Sequence, residues 1–116
     1  MPHFPQPHPA NRQRRLKVGG SVVVAIRSTD SQVVRAKLHE LSATGGLLLL
    51  SNAFEQGDFV EVAFPTSRGT VHAMAELLTA RNESPSGCLQ PFRFVALADE
   101  DHARLRTALD LLSDRL

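Results

Sequence analysis

The chain predicts a mainly β fold, a six-stranded antiparallel barrel followed by one C-terminal α-helix. Three observations carry this: short runs of alternating apolar and polar residues, turn-forming clusters between them at hairpin spacing, and a leucine stripe of helical period at the end. Val22 to Arg27 is a β-branched run, and Val33 to Leu38 sets Val34, Ala36 and Leu38 against Arg35 and Lys37. Ser28-Thr29-Asp30-Ser31 between them has turn composition, so the two segments are expected to form a hairpin. Leu47 to Leu50 is a short, continuously apolar strand. Gln56-Gly57-Asp58 turns into Phe59 to Phe64, where Val60, Val62 and Phe64 share one face, and Pro65 to Gly69 turns again.

Thr70 to Ala80 reads as a longer strand and Asn82 to Gly87 as a loop. Leu89 to Leu97 is the last strand, with Pro91 expected at an edge or a bulge because it cannot donate to a ladder. The ending changes period. Asp99 is the expected N-cap, Glu100 and Asp101 complement the positive end of the helix dipole, and Leu105, Leu109, Leu112 and Leu116 form one stripe. That stripe is expected to pack on an open end of the barrel, with a dimer seam as the competing use.

The bulk properties bound the function. A chain of 116 residues is one domain by length, able to bury roughly two-thirds of its unfolded surface. Cys88 is the only cysteine, so no intrachain disulfide is available, and a cytoplasmic location is the default expectation. Residues 1–10 hold four of the seven prolines and read as a flexible leader, with the folded domain spanning residues 11–116. No stretch is apolar enough and long enough for membrane insertion. Net charge is +1, yet residues 1–29 carry five Arg or Lys and no acid, whereas residues 30–116 carry eight against twelve acids. A local basic segment on a mildly acidic body favours a small anionic ligand over nucleic acid, which draws on a broad basic face.

Two segments look built to hold an anion. Arg12, Arg14 and Arg15 supply guanidinium forks that suit phosphate oxygens or the O6/N7 edge of guanine. Glu40-Leu41-Ser42-Ala43-Thr44-Gly45-Gly46 is a small-residue turn in which glycine lets backbone N–H groups approach a ligand; its structural reading is a plain strand-to-strand turn, with Ser42 bonding its own backbone and glycine supplying positive φ. Together they resemble the PilZ domain, the bacterial cyclic di-GMP receptor module, whose motifs are RxxxR and, later along the chain, [D/N]xSxxG. Ser42 and Gly45 stand in their expected places and Arg15 matches the second motif arginine. Asn11 stands where the first arginine is expected, Arg12 is one place out of register, and position 40 is Glu rather than Asp or Asn. Pro91 to Leu97 and the acidic opening of the last helix also resemble the family's ending.

The resemblance implies a PilZ-like barrel with a C-terminal helix. It implies a non-catalytic, cyclic di-GMP-responsive receptor or adaptor in bacterial signalling, controlling motility, pili or exopolysaccharide. The alternative is a PilZ-like adaptor that has lost the nucleotide and works only through a protein partner. Ligand contacts would be Arg15, with Arg12 or Arg14 standing in for the missing arginine, together with Glu40, Ser42, Gly45 and Gly46, the arginine arm ordering over the nucleotide. Cyclic di-GMP would be a ligand; no cofactor or metal is expected. Glu40 can still accept from guanine N1 and N2, but its extra methylene displaces the carboxylate by about 1.5 Å.

Other chemistries fit less well. His39-Glu40 opens like a zinc-protease motif, but Ala43 stands where its second histidine is required, and the segment reads as a strand. Cys88, His72 and Ser42 form no recognised nucleophilic signature. The chain has neither Trp nor Tyr, and Phe59, Phe64, Phe92 and Phe94 alternate as core residues rather than as a stacking platform for single-stranded nucleic acid.

Overall fold

The computed structural model describes residues 15–18, 22–30 and 32–114, with side chains through Leu112. The expected leader at residues 1–10, together with Asn11, Arg12, Arg14 and Leu116, lies outside the described residues. The strands are β1 (Leu16–Lys17), β2 (Val23–Arg27), β3 (Val33–Leu41), β4 (Gly45–Leu50), β5 (Phe59–Thr66), β6 (Gly69–Leu77), β7 (Arg81–Ser84) and β8 (Gly87–Ala96), and the helix is α1 (Asp99–Asp114). Every pairing is antiparallel, in the order β3-β2-β5-β6-β8-β4, and β4 pairs back onto β3. These six strands close a barrel, which removes most of the sheet edges an open structure would expose. β1 adds to β3 and β7 adds to β8.

Alternation sets which face is inside. Val24 and Ile26, Ala36 and Leu38, Val60, Val62 and Phe64, Val71, Ala73, Ala75 and Leu77 all point into one buried cluster. β3 changes phase at a bulge: Leu38 faces Leu48 but Glu40 faces Leu47, leaving His39 as the extra residue. Its carbonyl accepts from the Val18 N–H, 3.1 Å. The bulge lets both Leu38 and Leu41 point inward despite their odd separation, and turns Glu40 outward beside Lys17. Gln90 is wholly buried among apolar neighbours. Its Nε2 donates to Phe54 O and Leu78 O at 3.0 and 2.9 Å, and its Oε1 accepts from Phe54 N–H at 2.9 Å. A satisfied buried amide thus ties the Ser51–Asp58 connection and the segment after β6 to β8.

α1 lies across β6, β1 and β5. Leu105 is fully buried, Leu109 and Leu112 are half-buried against the core, and Leu111 is exposed, so the leucine stripe packs on the barrel as expected. Asp101 fixes the helix start: its carboxylate accepts from the His72 N–H at 2.9 Å and faces Arg104 at 3.6 Å.

Several expectations need correction. Pro91 does not lie on an edge, since β8 pairs with β4 and with β6. The Pro91 carbonyl accepts from Leu78 N–H at 2.9 Å, so the bond that proline cannot return to Leu78 O falls on that same side, just beyond the last β6 pair at Leu77 and Phe92, and Gln90 Nε2 donates to Leu78 O in its place at 2.9 Å. Asp99 is the first helical residue rather than the cap, because the first intrahelical bond runs from His102 N–H to Ala98 O. The Asn82–Gly87 loop is instead part of a hairpin: β7 pairs with β8 around Pro85-Ser86, with Asn82 and Gly87 taking positive φ. Gly45 and Gly46 belong to β4, and neither is among the glycines of positive φ.

Candidate functional site

The turn joining β3 to β4 is built by Ser42. Its N–H donates to Gly45 O at 2.8 Å, and its Oγ accepts from the N–H groups of Thr44 and Gly45, each 3.2 Å away. The same hydroxyl lies 3.2 Å from Gly45 O, to which it donates, and Ser42 is only 2 % exposed. A serine here replaces water for two main-chain donors that the tight turn would otherwise strand. The glycines that follow are demanded by close approach. A Cβ on Gly45 would stand 2.1 Å from the Phe92 carbonyl oxygen, and one on Gly46 would stand 2.5 Å from the Glu40 carbonyl oxygen and 2.9 Å from the Phe92 ring. The space without Cβ atoms is filled by β8 and β3 rather than opened to a ligand.

Around this turn lies a cleft of about 430 Å³. Arg15 enters it from the residue before β1, Ser42, Thr44, Gly45 and Gly46 form one wall, and Phe92, Arg93 and Phe94 of β8 form the other. Leu78 closes one side, held by the Gln90 amide. The structure therefore brings together Arg15, Ser42, Gly45 and Gly46, as the sequence motifs require. Glu40 borders the cleft through Arg15, its Oε1 lying 3.7 Å from the Arg15 Nη1. Arg12 and Arg14 lie outside the described residues.

Sequence reasoning missed Arg93, Phe94 and Thr44. Arg93 sits directly opposite Gly45 in the β4–β8 ladder, and its Nε donates to Glu76 Oε1 at 2.6 Å. Phe94 meets Phe92 edge to face at 5.4 Å, and its N–H donates to Thr44 O at 2.8 Å, fixing the turn against β8. The signal available was the alternation Phe92-Arg93-Phe94, which puts Arg93 on the outer face of the last strand. Its register against Gly45, some fifty residues away, was not readable.

The cleft thus offers two guanidinium groups at its rim, an aromatic edge and a Thr44 hydroxyl, a set suited to a planar anionic ligand. Both cations face carboxylates within the protein, Arg15 with Glu40 and Arg93 with Glu76, so a ligand has to compete with or join those pairs.

No family sequence profile and no curated protein sequence matches the chain, so the likeness is carried by structure. The chain is similar to the PilZ domain with c-di-GMP of YcgR from Escherichia coli, at 18% identity and a TM-score of 0.71, covering 90% of this chain and 92% of that one. The YcgR structure in complex with c-di-GMP gives 20% identity and a TM-score of 0.72 over 90% of this chain. The Bacillus subtilis inhibitor of motility, MotI/DgrA, gives 14% and 0.71 over 90%. The chain spans about half the length of those two, 46% and 53%. No described helix is long and apolar enough to cross a membrane. Superposed over 90% of its length on the PilZ domain of YcgR, the chain has the fold of the PilZ domain.

Proposed function

We propose that this chain is a non-catalytic receptor or adaptor domain that responds to cyclic di-GMP in bacterial signalling, with outputs in motility, pili or exopolysaccharide control. One observation carries the reading: Arg15, Ser42, Gly45 and Gly46, picked out by two separate motifs, line one cleft in a PilZ fold. The two YcgR structures that share its fold contain c-di-GMP, which supports that ligand class. In this reading Arg15, with Arg12 and Arg14 preceding it, grips phosphate or the guanine Hoogsteen edge, while Glu40 accepts from guanine N1 and N2.

Calorimetric titration with cyclic di-GMP tests it. Binding is expected at micromolar level or weaker, because one motif arginine is replaced by Asn11 and one carboxylate is lengthened. Arg15→Ala is expected to abolish binding, and Asn11→Arg with Glu40→Asp to tighten it at least about tenfold, the equivalent of about 1.4 kcal/mol. Nanomolar binding by the unaltered protein, or indifference to Arg15, would overturn the assignment of the site.

A second reading is favoured by the pairing of Arg15 with Glu40 and of Arg93 with Glu76. A cleft whose described cations are already neutralised fits an adaptor that has given up the nucleotide. Absence of heat, together with unchanged amide spectra at millimolar cyclic di-GMP, would select it.

A further inference from the structure

The far end of β3 carries a feature unrelated to the cleft. The Leu38 N–H donates to Val22 O at 2.9 Å, and Ser28 N–H to Gln32 O at 3.2 Å, so the even-numbered residues of β3 direct their main-chain groups toward β2. Val33, Arg35 and Lys37 therefore direct theirs the other way, toward β4. Only Lys37 finds a strand there: the β3–β4 ladder starts at Lys37 and Leu49, and no described residue pairs with the main chain of Val33 or Arg35 on that side. A short open sheet edge results, beside a depression of about 370 Å³ that reaches Leu50, Ser51 and Ser86.

Side-chain charge marks the same place. Arg15, Arg27, Arg93 and Arg104 each face a carboxylate. Among the described residues, Lys17, Arg68, Arg81 and Arg106 form no ion pair but stand apart from one another, whereas Arg35 and Lys37, also without one, lie two residues apart on one face of β3, Arg35 flanked in the sheet by Ala25 and Lys37 by Val23 and Leu49. Val23, Val33 and Leu49 are exposed by 45%, 59% and 43%. Two adjacent, uncompensated cations on an open edge, framed by exposed aliphatic side chains, match the chemistry of one kind of partner.

We infer that Val33–Lys37 is a docking edge for an extended, acidic segment of another protein. The segment adds antiparallel or parallel to β3, exchanging main-chain hydrogen bonds with Val33 and Arg35, while its carboxylates meet Arg35 and Lys37 on the outer face and its alternate apolar residues turn to the other face, beside the exposed Val34. The site lies at the opposite end of the β3–β4 hairpin from the Arg15 cleft and does not depend on nucleotide binding. The competing use of lysine and arginine on an edge is to repel other strands and prevent aggregation.

The test is amide NMR of the labelled full chain with a synthetic octapeptide of alternating Glu and Val. Shifts are expected at Val33–Lys37, and affinity is expected to fall at least about tenfold for Arg35→Glu with Lys37→Glu. The same loss is expected when the peptide is N-methylated at the residues that donate to β3, an arm that leaves the protein untouched. A peptide of alternating Lys and Val is expected not to bind. Absence of binding by the acidic peptide, equal binding of the lysine peptide, or indifference to N-methylation would overturn the proposal. So would tighter binding of a single-stranded oligonucleotide or of phosphatidylglycerol vesicles to the same residues, since those anions present no strand.

Discussion

The two ends of the β3–β4 hairpin solve opposite problems. At the turn, from Glu40 to Gly46, nearly every polar group is committed: Ser42 satisfies two main-chain donors, Phe94 holds Thr44, and Arg15 and Arg93 face Glu40 and Glu76. At the other end, β3 runs past β4 from Val33 to Arg35 with main-chain groups unpaired on that side, and two cations, Arg35 and Lys37, lack a described carboxylate partner. The difference teaches that one hairpin spends its sequence on geometry at one end and on charge at the other. Substitutions should therefore be read differently at the two ends, by stability near the turn and by binding near the edge.

The largest effect is expected at Gly45. An alanine there brings its Cβ to 2.1 Å from the Phe92 carbonyl oxygen and 2.8 Å from the Arg93 Cα, both main-chain atoms that cannot rotate away. Gly45→Ala should cost about 3 kcal/mol or more and prevent β4 from seating on β8. Leu49→Ala, on the exposed face at the other end, should cost less than about 1 kcal/mol by urea denaturation. Equal losses at the two positions would remove the contrast.

Next comes Ser42→Ala, which leaves the N–H groups of Thr44 and Gly45 without their acceptor at a position where the serine side chain is almost completely buried. A loss of about 1–3 kcal/mol is expected, readable as a lowered denaturation midpoint with an unchanged slope.

Much of this was legible in the sequence, and what was not has physical causes. The barrel strands and the helix follow from apolar pattern, as a period where one face is buried and, in β4, as the continuous run Leu47–Leu50 of a strand buried at nearly every position. β1 is too short, at two residues, to show any period, and β7 (Arg81-Asn82-Glu83-Ser84) is exposed at all four positions, so it has no apolar face to announce it. Gly45 and Gly46 read as turn residues because glycine usually marks positive φ, yet here it marks the close approach of β8 and of the β3 main chain. Of the site, the Arg15 and Ser42 sides were readable as local motifs. Arg93 and Phe94 were not, since they join the cleft through strand register.

Cys88 asks whether the open end is loose inside as well as out. It pairs with Leu50 close to the edge, yet it is buried, and that burial first, then the nearby Glu83 carboxylate, pushes its thiol above the usual range. Since the folded state raises this pKa, its stabilisation is complete below the unfolded value of about 8.5 and is lost as pH rises through the folded one. Alkylation by iodoacetamide at neutral pH should proceed only at the rate of global unfolding. Fast modification of native protein would show that the open edge frays inward.

The smallest effects, and the ones that separate the two ends by sign, come from neutralising charges. Arg15 and Glu40 lie 3.7 Å apart with side chains 38% and 23% exposed, so solvent screens the pair and Glu40→Gln should cost less than about 1 kcal/mol. Arg35 and Lys37 lie on the same outer face two residues apart with no described carboxylate beside them, so Arg35→Gln relieves repulsion and should stabilise by a few tenths of a kcal/mol at most, roughly the scale of a surface substitution. Both shifts are electrostatic and should shrink toward zero in about 1 M salt, where the screening length is about 3 Å. Thermal melts of the two variants at low and high salt check this directly. Destabilisation by Arg35→Gln that persists in salt would mean that the arginine stem packs on the Val23 and Leu49 surface, leaving that edge already covered by the protein's own side chain and unsuited to a partner strand.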